Sequence, residues 1–392
     1  MKLWNLPILL GPMLIGLTGC STVDSWFHDA DRIPSSSERR IRQFTEPNPG
    51  RSVGVSEVWS RGVAGSPDKY LFHPERMVVD GNEIFVGTFQ GQVVAVRRQD
   101  GEVLWRADVG SSVAGGVAVE GQSVYTATVK GEVVALHRGR GDELWRAQLP
   151  TAAASAPVVA DGRVILTTID NRAYAFDTVD GHTVWSHTGA PADLAIMGAA
   201  TPVVASGAVL IGYSSGEVAV IGVDKGKRIW NSNLTVVGGR SELDLLQDVD
   251  ASLVIAPNGA IIAANHQGRL VALDPRDGQF LWERTMSVLR RPLAIGSRLF
   301  VADVEGKLLC LQLDNGKVLW STPVSDGLTT APVWLLDRIV VADNRNRLLA
   351  VDPASGEVVG KDRLNDAIYA EPVVEGGELF LWSYNGTLLK LR

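Results

Sequence analysis

Cysteine is almost missing from this chain, with two residues in 392, Cys20 and Cys310. That excludes a disulfide framework and any cysteine-rich zinc module. Histidine is scarce as well: there are six, and none stands at zinc-ligand spacing beyond a generic gap from His182 to His187. No phosphate-binding loop occurs. Positive charge is in deficit, 37 Lys and Arg against 44 Asp and Glu, for a formal net charge of −7. With no basic stripe interleaved with aromatics, nucleic acid is excluded as a partner. The one long apolar run, Leu3 to Leu17, is broken by Pro7, Gly11, Pro12 and Gly16, which argues against a transmembrane helix.

What the chain has in abundance is a repeat. Gly268 to Trp282 reads Gly-Arg-Leu-Val-Ala-Leu-Asp-Pro-Arg-Asp-Gly-Gln-Phe-Leu-Trp, a turn, an alternating strand, an Asp-Gly turn and a second strand that carries the tryptophan. The turn position recurs as Gly91, Gly131, Asn171, Gly216, Gly268, Gly306, Asn346 and Gly386. Asn is the other residue that tolerates φ > 0, so the pattern states a backbone requirement. Fourteen residues after the first seven come Trp105, Trp145, Trp185, Trp230, Trp282, Trp320 and, in one departure, Gly360. Intervals of 40, 40, 45, 52, 38, 40 and 40 residues, with four short strands per unit, predict an all-β, eight-bladed β-propeller of four antiparallel strands per blade. The eighth copy lacks its outer strand. The strand-like stretch Val53 to Trp59 is expected to supply it, closing the ring by pairing the N-terminal strand with the C-terminal blade. The repeated Trp is then structural, lying flat between blades with its indole N–H bonded locally. Cys310 falls where other copies place Ala, and reads as a small core residue.

Three segments follow: a signal peptide over 1–19, Cys20 with a flexible tether over 20–50, and one propeller over 51–392. Leu17-Thr18-Gly19-Cys20 looks like a bacterial lipobox, with cleavage before Cys20 and lipid, palmitate included, attached to it. In Gram-negative lipoproteins Asp at the next position favours retention in the inner membrane, so Ser21 implies an outer-membrane location facing the periplasm. The tether is polar and aperiodic, with Trp26 and Phe27 as exceptions.

The Ala272 to Trp282 frame resembles the tryptophan-docking repeat of the quinoprotein dehydrogenases. With the lipobox, the length and the blade count, the whole chain more specifically resembles the BamB family, lipoproteins of the outer-membrane β-barrel assembly (BAM) machinery. That resemblance implies a non-catalytic scaffold that docks on BamA and the rest of the complex and assists insertion of outer-membrane proteins. Unfolded outer-membrane clients are a second candidate class of partner.

The repeat departs from itself in one region. From Trp to the next turn residue regular units take 24 to 26 residues, but Trp185 to Gly216 takes 31 and Trp230 to Gly268 takes 38. The surplus precedes a blade's first strand, so both insertions lie in loops side by side on one face. They hold Leu194, Ile196, Met197, Leu243, Leu245 and Leu246 beside Asp193, Asp244, Asp248 and Asp250, the composition of a protein-binding patch with a charged rim. In the resembled family an acidic Asp-Val-Asp element, matched by Asp248-Val249-Asp250, and apolar residues matched by Leu194 and Ile196 contact BamA. The family commonly has Arg at the positions of Met197 and Leu245. The partner-binding set expected here is therefore Leu194, Ile196, Met197, Leu243, Leu246, Asp248 and Asp250, with Cys20 lipidated and no catalytic, cofactor or metal residue. A quinoprotein dehydrogenase and a ligand-binding propeller remain the other readings. Against the first stand the lack of a vicinal cysteine pair and the shortfall of two acids, Asp248 and Asp250, from the six to eight oxygens calcium takes.

Overall fold

The computed structural model describes residues 44–65, 77–191, 200–234, 253–265, 268–288 and 290–392. The folded body starts at Phe44 and runs to Arg392. Among the described residues it consists of eight four-stranded antiparallel sheets. Blade 1 shows the plan: Val78–Asp80, Glu83–Gly87, Gln92–Arg97 and Val103–Asp108, from the innermost strand outward. Blades 2 to 7 repeat it in chain order. Blade 8 takes Val373–Glu375, Glu378–Trp382 and Thr387–Leu391 from the end of the sequence and its outer strand, Glu57–Gly62, from the beginning. This is the expected eight-bladed propeller with the expected closure. The closing strand starts at Glu57 and not at Val53, because Val53 turns inward and is buried between blades 7 and 8.

The hydrophobic core is divided among the interfaces. Eight apolar clusters are found, each drawn from two neighbouring blades, including one in which Ile84, Val86 and Val94 of blade 1 meet Phe380, Trp382 and Leu388 of blade 8. Second and third strands are buried almost throughout, while outer strands alternate between buried and exposed. The ring therefore holds by the sum of eight similar contacts.

Seven of the eight interfaces are finished by a tryptophan. The indole N–H groups of Trp59, Trp105, Trp145, Trp185, Trp230, Trp282 and Trp320 donate to backbone carbonyls of Arg98, Arg138, Thr178, Val223, Pro275, Leu313 and Pro353, at 2.6 to 3.1 Å. All seven acceptors belong to the turn between third and outer strands of the next blade. The ring lies on that turn's glycine: a Cβ added at Gly101, Gly141, Gly181, Gly226, Gly278, Gly316 or Gly356 would come within 2.5 to 2.7 Å of the indole. Those glycines also have φ between 65° and 76°, so glycine at this turn is demanded twice, by conformation and by the approach of the ring.

A β-bulge sets the tryptophan up. In all eight outer strands the register slips by one residue just before the Trp or its equivalent, for example between Ala95 paired with Trp105 and Val96 paired with Val103. In six of the eight strands the extra residue faces solvent, which explains why Val58, Leu104, Leu144, Ile229, Leu281 and Leu319 are exposed aliphatics; Val184 and Val359 are partly buried. In five blades the residue opposite the Trp is small, Ala95, Ala135, Ala175, Ala272 or, in blade 6, Cys310, fully buried as a core residue; Trp230 faces Val220 and Trp59 faces Lys390.

Gly181→Ala should be more costly than Gly162→Ala. Both have φ above 70°, but an added Cβ meets Trp145 at 2.5 Å at the first and only Thr178 Oγ1 at 3.9 Å at the second. The second variant should lose about 1–2 kcal/mol in urea denaturation, the cost of the left-handed backbone, and the first distinctly more. Equal losses would mean that the indole contact is slack.

Candidate functional site

Antiparallel strands put two kinds of connection on each face. Turns between second and third strands share a face with the links from one blade's outer strand to the next blade's inner strand. Both insertions are links of this kind. The first follows Thr183–Thr188 and precedes Val203–Ala205, and the second follows Arg228–Asn233 and precedes Val254–Ile255. Their described stems leave blades 3 and 4 in succession on one face. The expected partner-binding residues Leu194, Ile196, Met197, Leu243, Leu246, Asp248 and Asp250 lie in 192–199 and 235–252, outside the described residues, and so does Cys20. What the structure does describe is the platform from which both insertions rise.

That platform is tied by a buried carboxylate. Glu217, 4 % exposed, accepts at 2.6 Å from the backbone N–H of Ala190, at the stem of the first insertion. Its other oxygen accepts at 2.8 Å from the side-chain amide of Asn231, in the strand that leads to the second. Asn171 works on the same stem, donating its amide to the Ala190 carbonyl at 3.0 Å and accepting from the backbone N–H of Ser214 at 3.1 Å. The second stem is held through Leu234, fully buried. Its N–H donates to the Gly216 carbonyl at 2.8 Å, and its carbonyl accepts from Asn265 and Arg269 at 3.5 and 3.4 Å. Each stem is thus fixed through both backbone polarities.

Beneath the first stem sits an aromatic floor. Gly189 lies so close to Tyr213 that an added Cβ would be 2.8 Å from its ring, and His187 Nδ1 meets the Tyr213 hydroxyl at 3.0 Å. Burial pushes the Tyr213 phenol well above its ordinary value. Burial likewise holds the His187 imidazole below its ordinary range, with Glu217 opposing and Arg228 reinforcing that shift.

Asn171, Glu217 and Arg269 were not singled out from the sequence as site residues. Their signal was positional. Asn171 is one of the two turn residues other than Gly, and Glu217 and Arg269 follow the turn residues of blades 4 and 5 directly. The stretch Gly212-Tyr213-Ser214-Ser215-Gly216 matches Gly-x-Ser-x-Gly. It forms the turn between two strands, and Ser214 is buried with its N–H bonded to Asn171. A nucleophile elbow needs a strand, a turn and a helix, so this match carries no catalytic meaning. One group of three possible metal ligands is found among the described residues: Asp177, Asp180 and His182, on the turn of blade 3. Its acids are engaged locally, Asp177 with Arg163 at 2.9 Å and Asp180 with His182 at 2.6 Å.

A family model described as outer membrane protein assembly factor BamB matches residues 54–122 and 89–322. The chain belongs to the BamB family. A BamB of Pseudomonas aeruginosa is 37% identical over 320 residues, covering 81% of this chain and 80% of that protein. In fold, the crystal structure of BamB from Moraxella catarrhalis superposes with a TM-score of 0.77 at 19% identity, over 86% of this chain and 99% of that one. Quinohemoprotein alcohol dehydrogenase from Comamonas testosteroni also superposes, with a TM-score of 0.69 at 13% identity, over 94% and 83% of the two chains. At such identities the two superpositions speak for the propeller alone. BamB membership rests on the family model and on the Pseudomonas relative.

The depressed imidazole has a consequence with a definite sign. The unfolded chain takes up a proton on His187 near pH 6.5, whereas the folded chain does so only at lower pH. Stability should therefore be lost as the pH falls from about 6.5 toward the folded-state value. The drop in urea midpoint between pH 7.5 and pH 5.5 should be smaller in His187→Gln than in the wild type. An identical drop would show that the histidine is not held neutral.

Proposed function

We propose that this protein is a non-catalytic scaffold of outer-membrane protein assembly, anchored by lipid on Cys20 and docking on BamA through its two neighbouring insertions. The observation that carries the reading is the platform of Glu217 and Asn171. A carboxylate that ties the stems of both loops makes them a single presented surface, in a chain of the BamB family. Loops on a rigid scaffold are where binding residues are placed, because the scaffold fixes their roots while their tips stay free to vary. Leu194, Ile196, Met197, Leu243 and Leu246 supply apolar anchors, and Asp248 and Asp250 accept charge-assisted hydrogen bonds from basic groups of the partner. Leu245 and Met197 stand where the family commonly has Arg, so this interface relies more on apolar contact than on charge.

The likeness to quinohemoprotein dehydrogenases supports a common fold and nothing about a reaction. Function as a scaffold fits a molecule whose buried tryptophans are all committed to blade contacts.

Asp248→Arg combined with Asp250→Arg should abolish co-purification with BamA while leaving the melting temperature within a degree or two of wild type. Leu194→Ala with Ile196→Ala should weaken it. Full retention in both variants would move the interface elsewhere, and loss of folding together with binding would make the acids structural. Separately, Cys20→Ala should remove incorporation of radiolabelled palmitate and leave the chain unprocessed; continued cleavage and membrane association would refute the lipid anchor.

A further inference from the structure

Seven blade junctions are finished by an indole, and the junction between blades 7 and 8 is not. The cause is topological. An indole on blade 7 would dock on the turn between third and outer strands of blade 8. In blade 8 those strands, Thr387–Leu391 and Glu57–Gly62, come from opposite ends of the sequence, and no turn joins them. There is neither a left-handed glycine to lie on nor a turn carbonyl to accept the indole N–H. Correspondingly, residue 360, opposite Ala350 where the frame asks for Trp, is glycine.

Something else fills the place. A Cβ added at Gly360 would lie 2.7 Å from the Ser52 carbonyl oxygen and 2.8 Å from Val53 Cα. The backbone N–H of Lys361 donates to the Arg51 carbonyl at 2.9 Å. The Asp362 carboxylate accepts from Ser52 Oγ at 2.9 Å and from the Val53 N–H at 3.0 Å. Val53, 5 % exposed, enters the cluster of Leu348, Leu379, Leu389 and Leu391. At the other end, Lys361 Nζ donates to Glu46 at 2.8 Å and to the Pro47 carbonyl at 3.1 Å. Arg347 is buried and held by Asp343 and Asp326 at 2.6 Å each. It lies 3.8 Å from the Glu46 carboxylate, with its guanidinium over the Phe44 ring. The bond from Lys361 holds the Glu46 carboxyl below its ordinary range.

We propose that the outer edge of blade 7 is a peptide-binding groove, floored by Gly360 and walled by Lys361, Asp362 and Arg347, which residues 44–53 occupy in cis as a surrogate for the missing indole. The ligand class follows from the contacts: an extended segment with an aromatic and a carboxylate at its start and a small polar residue followed by an aliphatic at its end. Glycine at 360 is then not a decayed tryptophan but the one residue that lets a backbone approach this closely. The strap also covers part of an outer strand that would otherwise present an open edge.

The test uses the full chain and reads trypsin cleavage after Arg51 by mass spectrometry. A docked strap resists cleavage there, because a protease needs a freed stretch of backbone. Gly360→Ala should expel the strap and raise that rate by about tenfold or more. Val53→Pro should do the same without a change at Gly360, since proline removes the N–H from which Asp362 accepts, and it keeps the test valid if the glycine variant fails to fold. A fluorescent synthetic peptide of residues 44–56 should then bind Val53→Pro protein and not wild type, whose groove is filled. Unchanged cleavage in Val53→Pro, or equal peptide binding by wild type and variant, would overturn the proposal.

Discussion

The structure depends on one contact made seven times: an indole lying on a left-handed glycine of the next blade and donating its N–H to a carbonyl of the same turn. Blades radiate from a hub, so the gap between neighbours widens outward, and the largest side chain is needed at the rim. A flat ring fills such a wedge only if its partner has no Cβ, and its one polar atom must find an acceptor in an otherwise apolar place. Trp on one blade and the turn glycine on the next are therefore a single requirement, with the bonded pairs 31 to 45 residues apart. Because every such contact joins neighbours only, an open array would fray at its ends. Trp59, brought to blade 8 by the N-terminal strand, supplies the seventh contact and turns the array into a ring. Arg98 adds to that seam from blade 1, pairing with Glu375 and Glu378 of blade 8 at 2.9 and 3.0 Å.

Much of this was legible in the sequence because it is a backbone constraint repeated until it could not be chance. Asn171 and Asn346 stand among glycines at the turn position, and the structure gives them φ of 58° and 62°, in the same half of the map as their glycine counterparts. The fourteen-residue step to Trp encodes strand, turn and bulge lengths together. Side-chain pairs between distant residues were not legible. Glu217 is one of eight residues that follow a turn position, and nothing in its neighbours distinguishes a carboxylate that grips a loop stem from Glu132, which pairs with Arg146 at a half-exposed site. Burial decides between those roles, and burial is set by a loop whose length only the repeat frame discloses. The strap was hidden for a related reason. Residues 44–50 have the polar, Pro- and Gly-rich composition of a linker, and what fixes them is a groove some 300 residues further on, as with Glu46 and Lys361.

The position after the turn residue shows how a uniform frame comes to carry unlike chemistry. Its side chain points toward the link that enters its own blade, as Glu217 meets Ala190, Arg269 meets Leu234 and Arg347 meets Asp326, and in most blades that link is short. Where the link is long, the charged side chain at this position grips its stem: Glu217, buried, at the first insertion, and Arg269, partly buried, at the second. Arg347 occupies the same position in blade 7 and is 3 % exposed, yet its link is of ordinary length. It is buried because the strap, beginning at Phe44 and Glu46, covers it from outside. An unpaired arginine so deeply placed would be costly, and Asp343, wholly buried, neutralises it within the blade before the strap adds Glu46.

Closing a ring from the two ends of a chain therefore creates a local problem as well as solving a global one. The joint at blade 8 restores the paired outer strand, and Ser56 and Arg392 exchange both backbone hydrogen bonds across it, at 2.8 and 2.9 Å. It cannot restore the turn that a neighbouring indole needs, because a turn requires covalent continuity where the ring is cut. A tryptophan at 360 would have an unsatisfied N–H and no flat surface beneath it, and an alanine there would leave the wedge open. Backbone of the entering chain meets both needs at once: it is as thin as the gap requires, and it brings its own donors and acceptors for Lys361 and Asp362 to satisfy. The position at which the repeat fails is thus the position next to the cut, and the failure follows from where the ring is opened.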